Sequence, residues 1–251
     1  ATGQEKYHRG FEPLPEGFKQ VPFNDFGALE KSIGPKTVAV ALELIQGEGG
    51  IRVADSEYVR KVRALCDERK LLLIFDEVQT GMGRTGRWFA YQHYGVEPDL
   101  MALAKSLGSG VPIGALVVSR KIKEEVLTPG THASTYGGNP LVTAAGLAVF
   151  KTIEREKLLR NAEEMGAYLK ECLLDLKEQY AFIKEIRGIG LMLGMELDRP
   201  GADLVTKLRE KGLLINCTQE RVLRIMPAMT VTKRLIDRAV QILDEVLGEV
   251  K

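Results

Sequence analysis

The stretch LLLIFDEVQ, residues 71–79, decides the fold class of this chain. Its five leading residues are apolar without alternation, and an acid and an amide follow them directly. A short, nearly all-apolar run is typical of a central strand in a parallel sheet covered on both faces. Residues 37–45 (TVAVALELI) have the same character. Together the two runs predict an α/β fold built on a mostly parallel sheet.

The residues around these two runs complete an alternation of helix and strand. Between the runs, apolar residues recur at helical spacing behind Asp55 or Ser56, either of which can cap a helix. Asp99 to Leu103 and Pro112 to Ser119 read as two further strands. The first part of the chain therefore has the pattern of a doubly wound α/β domain with helices on both faces of the sheet.

The second part of the chain begins at Asn139-Pro140, a favourable helix start from which we expect a long helix to about Arg155. A polar helix, a looser series of strands and a final helix capped by Thr232 follow. The strands are expected at residues 190–197, 213–217 and 222–226. We expect two domains: residues 1–146, part of a large domain, and residues 147–251, a linking helix and a smaller α+β domain.

Composition narrows the function to small-molecule chemistry. The 251 residues carry a formal net charge of +1 and no run of like charges, which argues against nucleic acid or an anionic membrane as a partner. The three cysteines form no CxxC pair and the three histidines are scattered, so neither a disulfide framework nor a metal site is expected. With no signal pattern and no long apolar run, we expect a soluble protein of the reducing cytoplasm.

The candidate site is expected where the strands end. Ligands of open α/β sheets bind beyond the carboxyl ends of the strands. At those positions the sequence has Gln46 to Glu48, Asp76 to Gln79, and Lys105. An acid, an amide and a lysine therefore converge on one edge of the sheet.

Each of these residues also has an ordinary structural interpretation. A lysine is most often a solvated surface group, and Asp76 could be a helix cap or an ion-pair partner. Lys105, however, follows the apolar residues 101–104, where an exposed lysine is not expected. A desolvated lysine has the lowered pKa that suits covalent attachment of a carbonyl group.

Two motifs point elsewhere and are set aside. The run 71–77 resembles the magnesium-binding strand end of a nucleotide hydrolase, but the chain has no GxxxxGK[ST] phosphate loop. Residues 81–86 (GMGRTG) match GxGxxG, yet they do not follow the strand directly and open no clear helix. A dehydrogenase or hydrolase is therefore a remote alternative.

Four longer blocks resemble the class III pyridoxal-phosphate aminotransferases of fold type I, in the order found in that family. They are residues 42–50 (LELIQGEGG), 75–86 (FDEVQTGMGRTG), 104–115 (AKSLGSGVPIGA) and 131–140 (THASTYGGNP). Blocks 131–140, 188–196 and 223–227 most resemble the acetylornithine branch of the family. Leu44, Ser109, Ala133 and Ala228 depart from the family pattern, but none of these changes removes a reactive group.

The resemblance implies a set of roles for named residues. Lys105 would bind pyridoxal 5'-phosphate covalently and act as the acid and base of the reaction. Asp76 would hold the pyridine nitrogen protonated, with Glu77, Val78 and Gln79 in the same cofactor-binding segment. Thr135 would reach the phosphate of a neighbouring subunit and Ser134 the substrate, which implies a homodimer with shared sites. Substrate carboxylate recognition would fall to Arg224, and Glu48 would pair with that arginine.

The implied reaction is amino-group exchange between N-acetylornithine and 2-oxoglutarate, in arginine biosynthesis. Related transaminases of ornithine, succinylornithine or 4-aminobutyrate share most of the motifs and stay open as alternatives. Because the resemblance begins well inside the family's large domain, we expect an incomplete active site in this chain alone. A non-catalytic fragment or interaction module is the alternative from another class.

Overall fold

The computed structural model describes residues 2–122 and 128–250. In chain order the strands are Ala39–Leu42 (β1), Ile45–Gln46 (β2), Arg52–Val53 (β3), Leu72–Asp76 (β4), Leu100–Leu103 (β5), Ala115–Val118 (β6), Ile183–Ile189 (β7), Met192–Leu197 (β8), Asn216–Thr218 (β9) and Val222–Ile225 (β10). The α-helices are Phe26–Ser32 (α1), Ser56–Arg69 (α2), Pro140–Arg155 (α3), Leu158–Gln179 (α4), Ala202–Glu210 (α5) and Lys233–Gly248 (α6).

The N-terminal sheet has the strand order β1-β4-β5-β6. Its first three strands are parallel, with Leu42 opposite Phe75 and Asp76 opposite Ala102. The parallel α/β architecture expected from the sequence is confirmed. Strand β6 runs antiparallel to β5, because the short connection between them leaves no room for the crossover that a parallel pair needs.

The helix α2 covers one face of this sheet with the buried side chains of Tyr58, Val59, Val62, Leu65 and Cys66. The other face differs from the expectation of a sheet buried on both sides. Leu72 in β4 and Leu116 in β6 are exposed, the latter by 58%. Among the described residues, therefore, the sheet is covered more completely on the α2 side than on the other.

Asp99 ties β5 to β4 and to α2. Its Oδ2 accepts hydrogen bonds from the backbone amide of Leu73 and from Arg63 Nη1, both at 2.8 Å. These donors hold the pKa of the Asp99 carboxyl below its usual value, despite the opposing effect of burial. The pair fixes the start of β5, and with it the strand that leads to Lys105.

The C-terminal sheet is antiparallel throughout, with the strand order β7-β8-β10-β9. The helices α4, α5 and α6 supply apolar side chains to the core that lies against it. Strand β7 was not expected from the sequence, because a bulge between Ile183 and Glu185 interrupts its period-two alternation. Thr232 lies at the N-cap position of α6 as expected, but its side chain makes no capping hydrogen bond.

The loop 81–86 joins the two sheets through backbone contacts. Arg84 accepts a hydrogen bond at its carbonyl oxygen from the amide of Leu191 (3.1 Å), and its Nη1 donates to the carbonyl oxygen of Pro227 (2.5 Å). Burial lowers the pKa of Arg84. Gly190, with φ +56°, approaches Thr85 so closely that an added Cβ would lie 2.6 Å from the carbonyl carbon. Residues 81–86, which match GxGxxG, thus pack against the C-terminal sheet.

The helix α4 packs against the same residue, Gly190. A Cβ added at Gly166 would lie 2.4 Å from the backbone carbon and oxygen of Gly190. Three backbone segments, at residues 85, 190 and 166, therefore stack with no side chain between them. A glycine is required wherever backbones approach this closely.

We expect Gly166→Ala to lower the free energy of unfolding by at least about 2 kcal/mol, because the clash is with backbone that cannot rotate away. Gly146→Ala is the matched control, since Gly146 is also a buried helical glycine but its added Cβ would lie 3.4 Å from its nearest neighbour. The control should be neutral or stabilising by up to about 1 kcal/mol, as helix propensity favours alanine. Urea denaturation of both variants measures the difference; equal effects would contradict the packing argument.

Candidate active site

The carboxyl ends of β4 and β5 bring the expected acid and lysine to one edge of the N-terminal sheet. Asp76 is the last residue of β4 and pairs in register with Ala102 of β5. Lys105 follows three residues later as the first residue of a 3₁₀ turn. The convergence predicted from the sequence follows from the parallel register of the two strands.

The Asp76 carboxylate is exposed and has an oxygen available for a ligand. Oδ1 accepts the backbone amide of Val78 at 2.9 Å. No hydrogen bond or ion pair to Oδ2 occurs within the described residues. The carboxylate is thus oriented by its own chain, while one oxygen can accept from a donor outside it.

Lys105 adopts the left-handed conformation, with φ +44°. A non-glycine residue held there costs roughly 1–3 kcal/mol, and such strain is concentrated at functional sites. Its amine donates to no group in the part of the chain that the structure describes. The side chain is exposed, in contrast to the desolvated lysine expected from its apolar flank, because Met101 and Leu103 face the core while residue 105 lies beyond the strand.

Glu77 turns away from this edge and is buried. Its carboxylate accepts the hydroxyl of Thr80 and the backbone amides of Ala90 (2.9 Å) and Tyr91 (2.9 Å). Burial raises the pKa of Glu77, and these donors partly oppose the rise. Its hydrogen bonds hold the 3₁₀ turn Ala90–His93 against β4. Glu77 therefore makes its hydrogen bonds within the chain, and its place in the cofactor-binding segment stays a prediction.

Arg224 brings the C-terminal sheet to the same edge. Its Nη1 donates to Glu48 Oε1 at 2.6 Å and to Gln79 Oε1 at 3.3 Å. The arginine side chain is only 16% exposed, whereas that of Glu48 is 45% exposed. Three residues chosen from the sequence are thus in direct contact, although they are separated by up to 176 positions. A guanidinium held in this way is suited to binding a carboxylate.

Glycine at position 47 makes this contact possible. A Cβ at Gly47 would lie 2.4–2.5 Å from the side-chain amide of Gln79. The amide of Gly47 also donates to Glu43 Oε2 at 3.0 Å. The side chains of Gln79 and Glu43 therefore contact Gly47 and hold the start of the loop 47–50 in position.

Glu43 is a member of the cluster that the sequence analysis did not find. Burial raises the pKa of Glu43, and the nearby carboxylates of Asp76 and Glu48 raise it further. The amide of Gly47 and the charge of Lys105 oppose this rise. The apolar run 37–45 concealed Glu43, since a single acid near the end of a strand gives no signal of its own.

Two residues of the β9–β10 hairpin were also missed. Asn216 Oδ1 accepts from Arg224 Nε at 3.2 Å, and Gln219 Nε2 donates to the carbonyl oxygen of Glu48 at 2.9 Å. Both contacts depend on the strand register of the hairpin. No local pattern in the sequence could have revealed them.

Ser134 and Thr135 are not joined to this cluster. Ser134 Oγ accepts from the amide of Gly137 (3.0 Å), and the hydroxyl of Thr135 makes no hydrogen bond with described residues. Both side chains are exposed. Neither side chain forms a hydrogen bond with the cluster of Asp76, Glu48 and Arg224 among the described residues.

A separate apolar pocket of about 320 Å³ lies on the C-terminal part of the chain, lined by Leu214, Met226 and Leu235 among others. Arg224 reaches its wall, but Asp76 and Lys105 do not. The pocket is therefore distinct from the strand edge that carries Asp76 and Lys105. Within the described residues, no helix is long and apolar enough to cross a membrane, and no group of acids, histidines and cysteines could hold a metal.

Comparison with known proteins identifies close relatives. The family model described as aminotransferase class-III matches residues 1–247. The acetylornithine aminotransferase of Methanocaldococcus jannaschii is 54% identical over an alignment of 253 positions that covers 100% of this chain and 63% of the relative. That of Caldanaerobacter subterraneus subsp. tengcongensis is 53% identical, with 100% of this chain and 64% of the relative covered. The chain thus spans less than two thirds of the length of these relatives.

Solved structures of aminotransferases are also similar to this chain. The ornithine aminotransferase of Toxoplasma gondii, crystallised with oxidised glutathione and described as showing partial occupancy of PLP at its active site, superposes with a TM-score of 0.93. It is 38% identical and matches 99% of this chain and 59% of its own. The acetylornithine aminotransferase of Elizabethkingia anophelis has a TM-score of 0.86 at 32% identity, covering 93% of this chain and 60% of its own.

The raised pKa of Glu43 predicts a specific pH dependence of stability. In the folded chain the carboxyl holds its proton above the ordinary value of 4.5, so the folded state binds more protons than the unfolded state in that window. Stability is therefore lost as pH rises from 4.5 through the folded pKa. Glu43→Gln removes this loss and keeps an acceptor for the amide of Gly47.

The measurement is urea denaturation of both proteins from pH 4.5 to pH 8. The stability of Glu43→Gln relative to the original chain should increase as pH rises. Glu57→Gln is the control, because Glu57 is exposed and Lys61 lowers its pKa. A constant difference for Glu43→Gln across the range would contradict the assignment.

Proposed function

The chain belongs to the class-III aminotransferase family, and we propose that the polypeptide containing it exchanges an amino group between N-acetylornithine and 2-oxoglutarate. Class III aminotransferases depend on pyridoxal 5'-phosphate. The acetylornithine aminotransferases of Methanocaldococcus jannaschii, Caldanaerobacter subterraneus subsp. tengcongensis and Aquifex aeolicus are 54%, 53% and 47% identical over 98–100% of this chain. These identities support N-acetylornithine as the amino donor, and so a place in arginine biosynthesis.

One observation carries the proposal: Arg224 contacts Gln79, which lies three residues after Asp76. A carboxylate-binding group from the C-terminal sheet therefore meets the strand edge that carries Asp76 and Lys105. A transaminase needs these two elements side by side, since one must hold the substrate and the other the cofactor. We also propose that residues 1–146 form part of the cofactor-binding domain and residues 147–251 the linking helix and small domain.

The residues at the strand edge fit pyridoxal phosphate. The available oxygen of Asp76 would accept from the pyridine nitrogen and stabilise its positive charge. Lys105 has an amine without a partner among the described residues and would attach the cofactor. Val78 would pack on the ring and Gln79 would donate to its hydroxyl group. When bound, the cofactor supplies an electron sink for the substrate carbon that loses a proton.

Lys105 would then act on the substrate. Once the substrate amine has replaced it on the cofactor, its freed Nζ would accept the proton from the carbon that carries the amine and return a proton later in the cycle. The exposed position of Lys105 leaves its amine free to approach a substrate from outside the sheet. This proton transfer is the catalytic task that we assign to the residue.

Arg224 and Glu48 would distinguish the two substrates. Glutamate and 2-oxoglutarate carry a carboxylate next to the reacting carbon, and Arg224 would bind that group. N-acetylornithine reacts at its terminal amine, where no carboxylate is adjacent. For that substrate Glu48 would stay paired with Arg224, as observed at 2.6 Å, so that the guanidinium is never left without a partner.

The exposed hydroxyls of Ser134 and Thr135 support a shared site. We propose that Thr135 binds the cofactor phosphate of a second copy of the chain and that Ser134 lies near the substrate there. Such an arrangement requires a homodimer. The free thiols of Cys66, Cys172 and Cys217 are consistent with a reducing compartment, and we place the reaction in the cytoplasm.

Borohydride reduction tests Lys105. After loading with pyridoxal phosphate, reduction and proteolysis, peptide mapping should find the label on Lys105. Lys157→Arg should leave the labelling unchanged, because Lys157 is also an exposed lysine with positive φ but lies between α3 and α4. Lys105→Arg should abolish it. A label on another lysine in the original chain would refute the assignment.

Substitution of Arg224 tests the carboxylate site. In the polypeptide that contains this chain, Arg224→Lys should raise the KM values for glutamate and 2-oxoglutarate about tenfold or more, because lysine cannot make the bidentate contact. The KM for N-acetylornithine should change much less, since that substrate leaves the pair with Glu48 intact. Arg221→Lys, an exposed arginine of the same hairpin, is the control. Unchanged constants for Arg224→Lys would leave it only a structural role.

A further inference from the structure

We propose that Asn216 is a positioning residue that decides which edge of the Arg224 guanidinium binds the substrate carboxylate. The inference deepens the proposed function and rests on it, because it takes Arg224 as the carboxylate-binding group. It concerns a residue of strand β9 that has no reactive group of its own.

The strand register places Asn216 directly opposite Arg224. The two residues are Cα partners in the antiparallel pair β9–β10. Directly opposed residues of such a pair present their side chains on the same face of the sheet. Asn216 Oδ1 accepts from Arg224 Nε at 3.2 Å, so the contact is built into the hairpin.

The remaining nitrogens of the guanidinium are held unequally. Nη1 donates to Glu48 and to Gln79, whereas Nη2 has no hydrogen-bond partner among the described residues. A guanidinium can bind a carboxylate with two parallel bonds along its Nε–Nη2 edge or along its Nη1–Nη2 edge. Asn216 occupies Nε and so closes the first edge. A substrate carboxylate is left with the second.

Glu48 is the group that can give up its place on that second edge. Its side chain is 45% exposed, compared with 16% for Arg224, so the carboxylate can move away from the arginine into solvent. The backbone of Glu48 stays fixed, because Gln219 Nε2 holds its carbonyl oxygen at 2.9 Å. Gln219 and Glu220 form the left-handed turn of the hairpin, with φ values of 48° and 60°. The hairpin therefore anchors both members of the ion pair.

The neutral amide of Asn216 suits this role. Its Oδ1 accepts the hydrogen bond from Nε but carries no formal charge. The guanidinium therefore keeps the positive charge that attracts the substrate carboxylate. An aspartate at position 216 would also accept from Nε, but it would add a second carboxylate beside Glu48 and neutralise the guanidinium. The choice between amide and acid should thus affect carboxylate binding more than folding.

The test uses the polypeptide that contains this chain, loaded with cofactor, and the variants Asn216→Ala and Asn216→Asp. Steady-state kinetics give KM and kcat for each substrate. Calorimetry with glutarate, a dicarboxylate with no reacting amine or ketone, gives a dissociation constant that does not depend on turnover. Arg221→Ala is the matched control for loss of a side chain in the same hairpin. Thermal denaturation establishes that each variant is folded.

We expect Asn216→Ala to raise the KM for 2-oxoglutarate and the dissociation constant of glutarate about tenfold, the usual effect of losing a hydrogen bond to a charged group. The kcat should stay within about threefold, and the KM for N-acetylornithine should not change, because the residue acts through Arg224 alone. Asn216→Asp should weaken glutarate at least as much. Unchanged glutarate affinity in either folded variant would overturn the proposal.

Comparison with Arg224→Lys separates the two levels of inference. If Arg224→Lys leaves glutarate binding unchanged, the carboxylate site itself is wrong and the proposed function loses its main support. If Arg224→Lys weakens glutarate but Asn216→Ala does not, the carboxylate site stands and the role of Asn216 is wrong. Weakening in both, with Arg221→Ala unaffected, supports both levels.

Discussion

The contact of Gly190 with Thr85 and Gly166 is the constraint on which the rest of the site depends. Backbone from the loop 81–86, from the β7–β8 turn and from α4 meets there without intervening side chains. Close backbone packing of this kind allows little sliding, because a shift of even one methylene's width produces a clash. The hydrogen bonds of Arg84 to Leu191 and Pro227 hold the same junction.

This junction explains how distant parts of the chain form one cluster. The loop 81–86 follows β4 closely, and β8 and β10 are neighbours in the C-terminal sheet. Fixing the β7–β8 turn against that loop therefore fixes β10, and with it Arg224, relative to the end of β4. Arg187 adds a second tie, since its Nε and Nη2 donate to the carbonyl oxygen of Gly50 at 2.9 and 2.7 Å.

The electrostatics of the cluster follow from the same placement. Glu43, Glu48 and Asp76 bring three carboxylates near one lysine and one arginine, and partial burial strengthens the interactions among them. Arg224 forms an ion pair with Glu48, while Asp76 is oriented by the backbone amide of Val78. Burial is the main cause of the raised pKa of Glu43, and the neighbouring acids Asp76 and Glu48 add to it. The hairpin residues Asn216 and Gln219 then set the orientation of the arginine and the position of its partner's backbone.

The sequence by itself determined the elements that local patterns encode. Apolar runs gave the parallel strands, helical spacing gave α2 and α6, and the Asn139-Pro140 start gave α3. The residues after the strands gave Asp76, Lys105, Gln79 and Glu48. It did not determine β7, whose bulge breaks the alternation, or the open face of the sheet. Adjacent residues at a strand end point in opposite directions, so Asp76 is exposed while Glu77 is buried, a difference that the sequence did not reveal. Glu43, Asn216 and Gln219 were decided by tertiary structure alone, since their contacts depend on strand register and on how the two sheets meet.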